Sequence, residues 1–350
     1  TATLQEAAER AERNRLLAHI AKHDPKPAAG TIIFQQGDVA ELLPRPTSAS
    51  LSLLNDMWHS GGSVDLALRS LGFEAGFSED GPPLHATIFG RLYTDCIAQA
   101  ARAPRISRLA VRRLEKALPD IERSFREEFL PSYLSEARLL QATDFTRLRT
   151  GDLHQAFTHI RRRFIEETHA EVSRVNIAAQ FALDLARESL AAEGRDPAIY
   201  LAGTGATELE LCLPAAVIEA EGGSCDALRD LIGHRASLDY ELAVPRHGET
   251  PDFAAAGRRL AGALTSPRNM VQPNGSPQGL SPSAAKKVAT ALSLQTLKED
   301  AKHQGLRELA ALRAVLAALD QRYALDGEIF HLTLDEIAAL DTPRLAELLN

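Results

Sequence analysis

The segment Gly233-His234-Arg235-Ala236-Ser237-Leu238-Asp239-Tyr240-Glu241-Leu242-Ala243-Val244-Pro245-Arg246-His247-Gly248-Glu249-Thr250-Pro251 holds the densest set of side chains able to do chemistry. It has two arginines, two histidines, three carboxylates and two prolines, with little helical period. Arginine grips carboxylate and phosphate through two parallel N–H bonds. Histidine accepts or donates a proton near neutral pH. Two readings are open. The charges pair with one another and pin an irregular loop to its neighbours, or the loop faces an anionic substrate. Stranded ions are costly, so every one of these charges needs a partner, water or a ligand.

Other sets are weaker. Glu166, Glu167, His169 and Glu171 come nearest to a metal set, but no His-Glu-x-x-His occurs, and the spacing suits a solvated helix face. His154 and His159 are five apart and do not share a face. Gly203-Thr204-Gly205 lacks a third glycine and reads as a turn before a helix at Glu208. No phosphate-loop lysine motif and no nucleophile elbow occur. Cys96, Cys212 and Cys225 are too scattered for a disulfide framework, and each reads as a small buried hydrophobe in a reducing compartment.

The elements around these residues read as helical, so the fold class expected is mostly α, with long amphipathic helices and at most a small β element. Leu153, Phe157, Ile160 and Phe164 step by four, three and four, and Val172, Val175 and Phe181 continue the face. A second long helix begins at Ser281-Pro282, a cap followed by proline at the first helical position, and runs to Asp326-Gly327. Shorter helices are expected at Leu4 to Ala21, Ser50 to Trp58, Ala86 to Ala98, Ser107 to Leu118, Ile121 to Leu140, Glu208 to Glu219 and Phe253 to Leu264. Strands are expected at Thr31 to Phe34 and at Glu328 to Leu332. Ser266 to Ser283, with four prolines and two glycines, reads as an exposed, mobile loop. These features divide the chain into an N-terminal helix and short strand (1–37), a helical central region (38–265), a loop (266–283) and a C-terminal helix with a closing segment (284–350).

The 350 residues carry 39 Lys+Arg against 47 Asp+Glu, a net charge of -8 that argues against a nucleic-acid partner. Short apolar runs broken by charge leave no membrane span, and the Thr1 to Glu12 stretch lacks the apolar core of a signal peptide. The expected location is therefore cytoplasmic. The chain begins without Met and reads as processed, or as a piece of a longer protein.

The Gly233–Pro251 segment resembles the Gly-His-Arg … Glu … Pro-Arg … Glu-x-Pro signature in the central region of phosphoenolpyruvate-synthase-like dikinases, the group that includes rifampicin phosphotransferases. Ala40-Glu41-Leu42-Leu43-Pro44-Arg45-Pro46-Thr47, Ile88-Phe89-Gly90-Arg91-Leu92-Tyr93, Arg307 to Arg313, and Glu328-Ile329-Phe330-His331-Leu332-Thr333-Leu334-Asp335-Glu336 resemble further stretches of that region, in the family's order. Together they run from about Asp38 to Glu336. Thr333 and Glu336 also make a capping box in their own right. His247 departs from the tryptophan common in the family, and Asp95 from an asparagine.

The resemblance implies a phosphotransferase in which ATP and magnesium, on a separate domain, charge a histidine on a swivelling domain. That histidine then delivers the phosphoryl group to a small-molecule acceptor held by the central region. Gly61-Gly62 and Gly222-Gly223 are not followed by the carrier histidine of such a domain. The chain is thus expected to need the ATP-binding and phosphohistidine domains as partners, to hold no cofactor itself and to be inactive alone. Arg91, Tyr93, His234, Arg235, Glu241, Arg246 and Glu249 are the expected acceptor-binding residues, grouped beside one concave surface. The competing expectation is a helical adaptor without catalysis.

Overall fold

The computed structural model describes residues 10–15, 17, 18, 21, 32–37, 39–201, 206–251, 253–264 and 279–340. Helices dominate, with one small sheet. The axis of the fold is α10 (Pro282–Tyr323), 42 residues long, begun by Ser281, whose side chain accepts from Ala284 N. Proline at its first position and Ser281 at its cap are the start signal that the sequence carries.

Two continuous helical rods pack on this axis. One joins α3 (Arg108–Arg123) to α4 (Leu130–Ala142) through a π turn, Ser124–Phe129. The other joins α5 (Thr150–Arg163) to α6 (His169–Ala192) through a π turn, Phe164–Thr168. The rod expected from the Leu153 period is thus present, with a wide turn in its middle. Smaller helices α1 (Ser48–Met57), α2 (Ser63–Ser70), α7 (Glu208–Glu221), α8 (Asp226–Ile232) and α9 (Phe253–Leu264) close the sides.

Apolar side chains collect in two large clusters along α10. Leu153, Phe157, Phe164, Leu309, Leu312 and Leu316 belong to the first. Leu114, Phe125, Val175, Leu190, Val288 and Leu294 belong to the second. A third, smaller cluster joins α7, α8 and α9 through Leu213, Leu228, Ile232 and Phe253. Burying each such side chain contributes about 1.5–3 kcal/mol.

Several sequence expectations are corrected. Ala86 to Ala98 is not one helix. It holds β2 (His85–Ile88) and β3 (Arg91–Asp95), an antiparallel hairpin, with β1 (Phe34–Gln35) on the other side of β3. Phe89 and Gly90 both take positive φ, 50° and 71°, the conformation of a two-residue hairpin turn whose twist suits paired strands. Asp95 then caps the short helix Cys96–Ala101 by accepting from Ile97 N and Ala98 N. Glu328 to Leu332 is not a strand: Glu328–His331 is a 3-10 turn, drawn in by Asp320, which accepts from Gly327 N and Ile329 N. Cys212 is exposed rather than buried. The helix at Leu4, the glycines at 203 and 205 and the loop from Ser266 as far as 278 fall outside the described residues.

Beside the second π turn, α10 carries Glu308, fully buried. Its carboxylate pairs with Arg163 at 3.0 Å and accepts from the Thr168 hydroxyl. Burial pushes its pKa up to about 7, partly offset by that hydrogen bond and by Arg163. A carboxyl raised in the folded state stabilises fully below its unfolded pKa, and loses that contribution as pH rises through the folded one. Glu308→Gln is therefore expected to remove a stability loss on the order of 3 kcal/mol that develops between about pH 4.5 and pH 7. Urea unfolding of both proteins across that range checks it: the difference between them must shift with pH, and a constant difference refutes it.

Candidate functional site

The Gly233–Pro251 segment closes on itself. His247 N donates to Arg235 O at 2.7 Å and Gly248 N to Gly233 O at 2.9 Å, so the two ends of the loop cross. The crossing demands glycine. A Cβ on Gly233 would lie 2.4 Å from Arg229 O, and one on Gly248 would lie 3.1 Å from Gly233 O. The sequence thus spends two glycines to bring His234 and Arg246 to the same place.

Most of the charges inside the loop have protein partners, one pair within the loop and the rest on neighbouring elements. Arg235 binds Asp239 through two nitrogens, at 3.0 and 2.7 Å, and reaches His303 Nδ1 at 3.3 Å. Glu241 is buried and accepts from Thr47 N, the Thr47 and Ser50 hydroxyls and Ala243 N, at 2.8–3.0 Å. It clamps the loop to the start of α1. Glu249 pairs with Arg313 of α10 at 3.1 Å, and Arg313 also donates to Leu242 O and lies over the Phe330 ring.

Arg246 is different. It is 2 % exposed, and its Nη1 donates to Asp239 O at 2.7 Å. Its Nε and Nη2 have no hydrogen-bond partner. Burial, and then the neighbouring Arg313, lower its pKa to about 10, so it remains a cation at neutral pH. His234 is 4 % exposed and its Nε2 meets His303 O at 3.0 Å. A carbonyl only accepts, so Nε2 carries the proton and Nδ1 presents a bare lone pair, which has no partner. Burial and the nearby arginines hold the His234 pKa well below the ordinary value, so the ring is neutral.

Both side chains lie in the wall of a cavity of about 470 Å³ between the loop, the end of α4, α8 and α10. Leu140, Phe145, Ala310, Ala311 and Ala314 give it an apolar side; Glu249 shares the polar side. A cleft of this size, mostly apolar with a few converging polar groups, is the usual form of a small-molecule site. Among the described residues no group of His, Cys, Asp and Glu is arranged to hold a metal ion.

The expected set of seven is therefore only partly brought together. His234, Arg246 and Glu249 share the cavity. Arg235 and Glu241 support the loop from behind. Arg91 and Tyr93 are elsewhere: Arg91 is exposed on β3 and lines a separate cavity of about 530 Å³ with Glu41, Pro44 and Arg45, and Tyr93 sits in the hairpin opposite Ala86. The grouping fails because residues 86–95 form a hairpin rather than a helix, which points Arg91 away from the loop. Arg138, Gln141 and Arg229 line the cavity without having been singled out. They sit on ordinary amphipathic helices, where an arginine is no signal; only the end of α4 meeting the loop makes them neighbours.

No protein-family model, curated protein or solved structure matches the chain.

Glu241→Ala strands Thr47, Ser50 and Ala243 donors and opens the loop from α1. A buried donor left without its partner costs about 1–3 kcal/mol and several are left at once, so its melting temperature is expected to fall by roughly 6 °C or more. Differential scanning fluorimetry reads this directly, and a shift under about 2 °C removes the clamp assignment.

Proposed function

We propose that this chain is the acceptor-binding region of an ATP-dependent, phosphohistidine-mediated phosphotransferase of the phosphoenolpyruvate-synthase-like type, inactive without its ATP-binding and carrier-histidine domains. The observation that carries the reading is the loop Gly233–Pro251. Part of the stretch that resembles the family's signature, His234, Arg246 and Glu249, borders a ligand-sized cavity, and His234 and Arg246 keep buried polar atoms without hydrogen-bond partners. In such a reaction the nitrogen–phosphorus bond of the carrier histidine breaks as an oxygen–phosphorus bond forms on the acceptor hydroxyl, whose proton must leave. Phosphoryl transfer depends mainly on positioning and charge stabilisation. A neutral His234 is suited to orient that hydroxyl, whose proton passes to the nitrogen released from phosphorus, and the Arg246 cation to hold an anionic group.

The adaptor reading draws on a different observation. Leu211 and Ile218, seven apart on α7, are 68 % and 69 % exposed on one face. That face is available to a partner whether or not the cavity binds anything. No helix among the described residues is long and apolar enough to cross a membrane, which agrees with either reading.

The purified chain incubated with ATP and magnesium is expected to take up no phosphate and to hydrolyse no ATP. Stoichiometric labelling from [γ-32P]ATP would refute the division of labour. Extending the chain in its parent gene to a segment with a carrier histidine, and finding phosphoryl transfer restored, would support the proposal over the adaptor.

A further inference from the structure

We infer that the cavity beside Gly233–Pro251 binds a small hydroxy acid: a carboxylate that pairs with Arg246, a hydroxyl that donates to His234 Nδ1, and a compact apolar body lying on the alanine face of α10. Calling this ligand the phosphoryl acceptor rests on the function proposed above; the binding itself does not.

The charge argument comes first. Two carboxylates in the wall have arginine partners behind them. Glu249 is held by Arg313 and Asp230 by Arg307 at 3.2 Å. That leaves Arg138, Arg229 and Arg246 against Asp226, an excess of positive charge in a chain whose net charge is -8. Of the three, Arg246 is the one that solvent does not reach. Asp239, Glu241 and Glu249 act on it electrostatically, but none bonds its Nε or Nη2, and a buried donor is costly until an acceptor meets it. Nε and Nη2 are the two adjacent donors of the guanidinium edge, the pair that takes a carboxylate in parallel. Both are shut off from water in this conformation, so the ligand engages them after a small turn of the guanidinium toward the cavity.

The second polar group is of opposite character. His234 Nδ1 is an acceptor only, since Nε2 holds the proton for His303 O. An anion cannot satisfy it; a hydroxyl can. Nδ1 too is shut off from water in this conformation, so a small turn of both side chains toward the cavity offers a cation for an acid and a lone pair for an alcohol. The remaining wall is apolar: Leu140 and Phe145 on one side, Ala310, Ala311 and Ala314 on the other. Alanines spaced one and four apart on one helix leave a shallow trough that a ring or branched alkyl group fills. A bare phosphate ion would satisfy the cation and leave both the lone pair and the trough unused.

The test uses the full 350-residue chain and isothermal calorimetry with phenyl-substituted hydroxy acids whose hydroxyl lies two, three or four carbons from the carboxylate. Three comparisons are run beside them: the methyl esters, 3-phenylpropanoate without the hydroxyl, and inorganic phosphate. At least one acid is expected to bind saturably. Its ester is expected to bind about 10-fold or more weakly, the value of one hydrogen-bonded charge. The compound without hydroxyl should lose several-fold. Arg246→Met should remove the preference for acid over ester while leaving the protein folded, because it deletes a side chain held by a single hydrogen bond. Should Arg246→Met fail to fold, Ala310→Leu fills the trough from the far side and is expected to weaken acid binding equally. The inference is overturned if none of the acids binds below about 10 mM, if ester and acid bind alike, if the hydroxyl makes no difference, if phosphate binds as tightly as the acids, or if neither variant changes affinity. An acid that binds here but is never phosphorylated by the extended chain leaves this site standing and removes the phosphotransferase reading; phosphorylation of a neutral alcohol by the extended chain, with no acid bound, does the reverse.

Discussion

The fold depends on one constraint: α10 runs through the middle of the molecule, and its buried stretch from Asp300 to Arg313 is not apolar all round. Asp300, His303, Gln304, Arg307, Glu308 and Arg313 are all buried there. Each needs a partner on the elements around it, since an unmet buried charge costs more than the burial of a leucine returns. Glu208 and Arg126 meet Asp300. Glu208 also meets Gln304, whose carbonyl accepts from Tyr133. Asp230 and Gln141 meet Arg307, Arg163 and Thr168 meet Glu308, and Glu249 meets Arg313. Apolar packing alone would let a helix slide or rotate with little penalty. This row of addresses fixes which neighbour sits at which turn.

The cavity follows from those addresses. Arg307 draws α8 in through Asp230, and Arg313 draws in the loop through Glu249 and Leu242 O. The end of α4 is fixed by Gln141 and Tyr133. Three elements are thus tied to one face of α10, and where the tied positions leave only alanine on that face a space remains. Arg246 and His234 sit at its edge because the glycine crossing at 233 and 248 brings both ends of the loop there. Both keep atoms that the network does not satisfy, as does His303 at Nε2.

Much of the helical frame was legible. The apolar period from Leu153, the Ser281-Pro282 start and the Thr333–Glu336 capping box are local signals, and all three are realised. The π turns also left a trace that a simple period reading passes over. Buried or half-buried positions step 114, 118, 121, 125, 129, 133, 137 and 153, 157, 160, 164, 168, 172, 175. Each repeated step of four overruns a 3.6-residue turn, and a wider turn absorbs the excess. The hairpin was missed because Ile88, Phe89 and Leu92 fit a helical face, and Phe-Gly is an unusual pair for a two-residue turn. The Glu328 turn was misread because five apolar-rich residues suit a strand, although Ile329 and Phe330 are both buried and a strand would place them on opposite faces. Within the site, the charge density of Gly233–Pro251 was visible. Which charges were spoken for was not: the partners of Glu241 and Glu249 lie nearly 200 residues before and 64 residues after them.

Two alanines of the cavity, Ala310 and Ala314, have a consequence for how such a protein changes over generations. The course of α10 is set by the ion pairs on its other faces and by buried residues such as Leu309, Ala311, Leu312 and Leu316, whereas Ala310 and Ala314 are half-buried and border the empty space. A larger side chain at Ala310 or Ala314 re-cuts the cavity while the frame stays put. Ligand choice and foldedness are thereby written at different positions of the same helix, and a lineage can drift from one substrate to another without first passing through a misfolded intermediate.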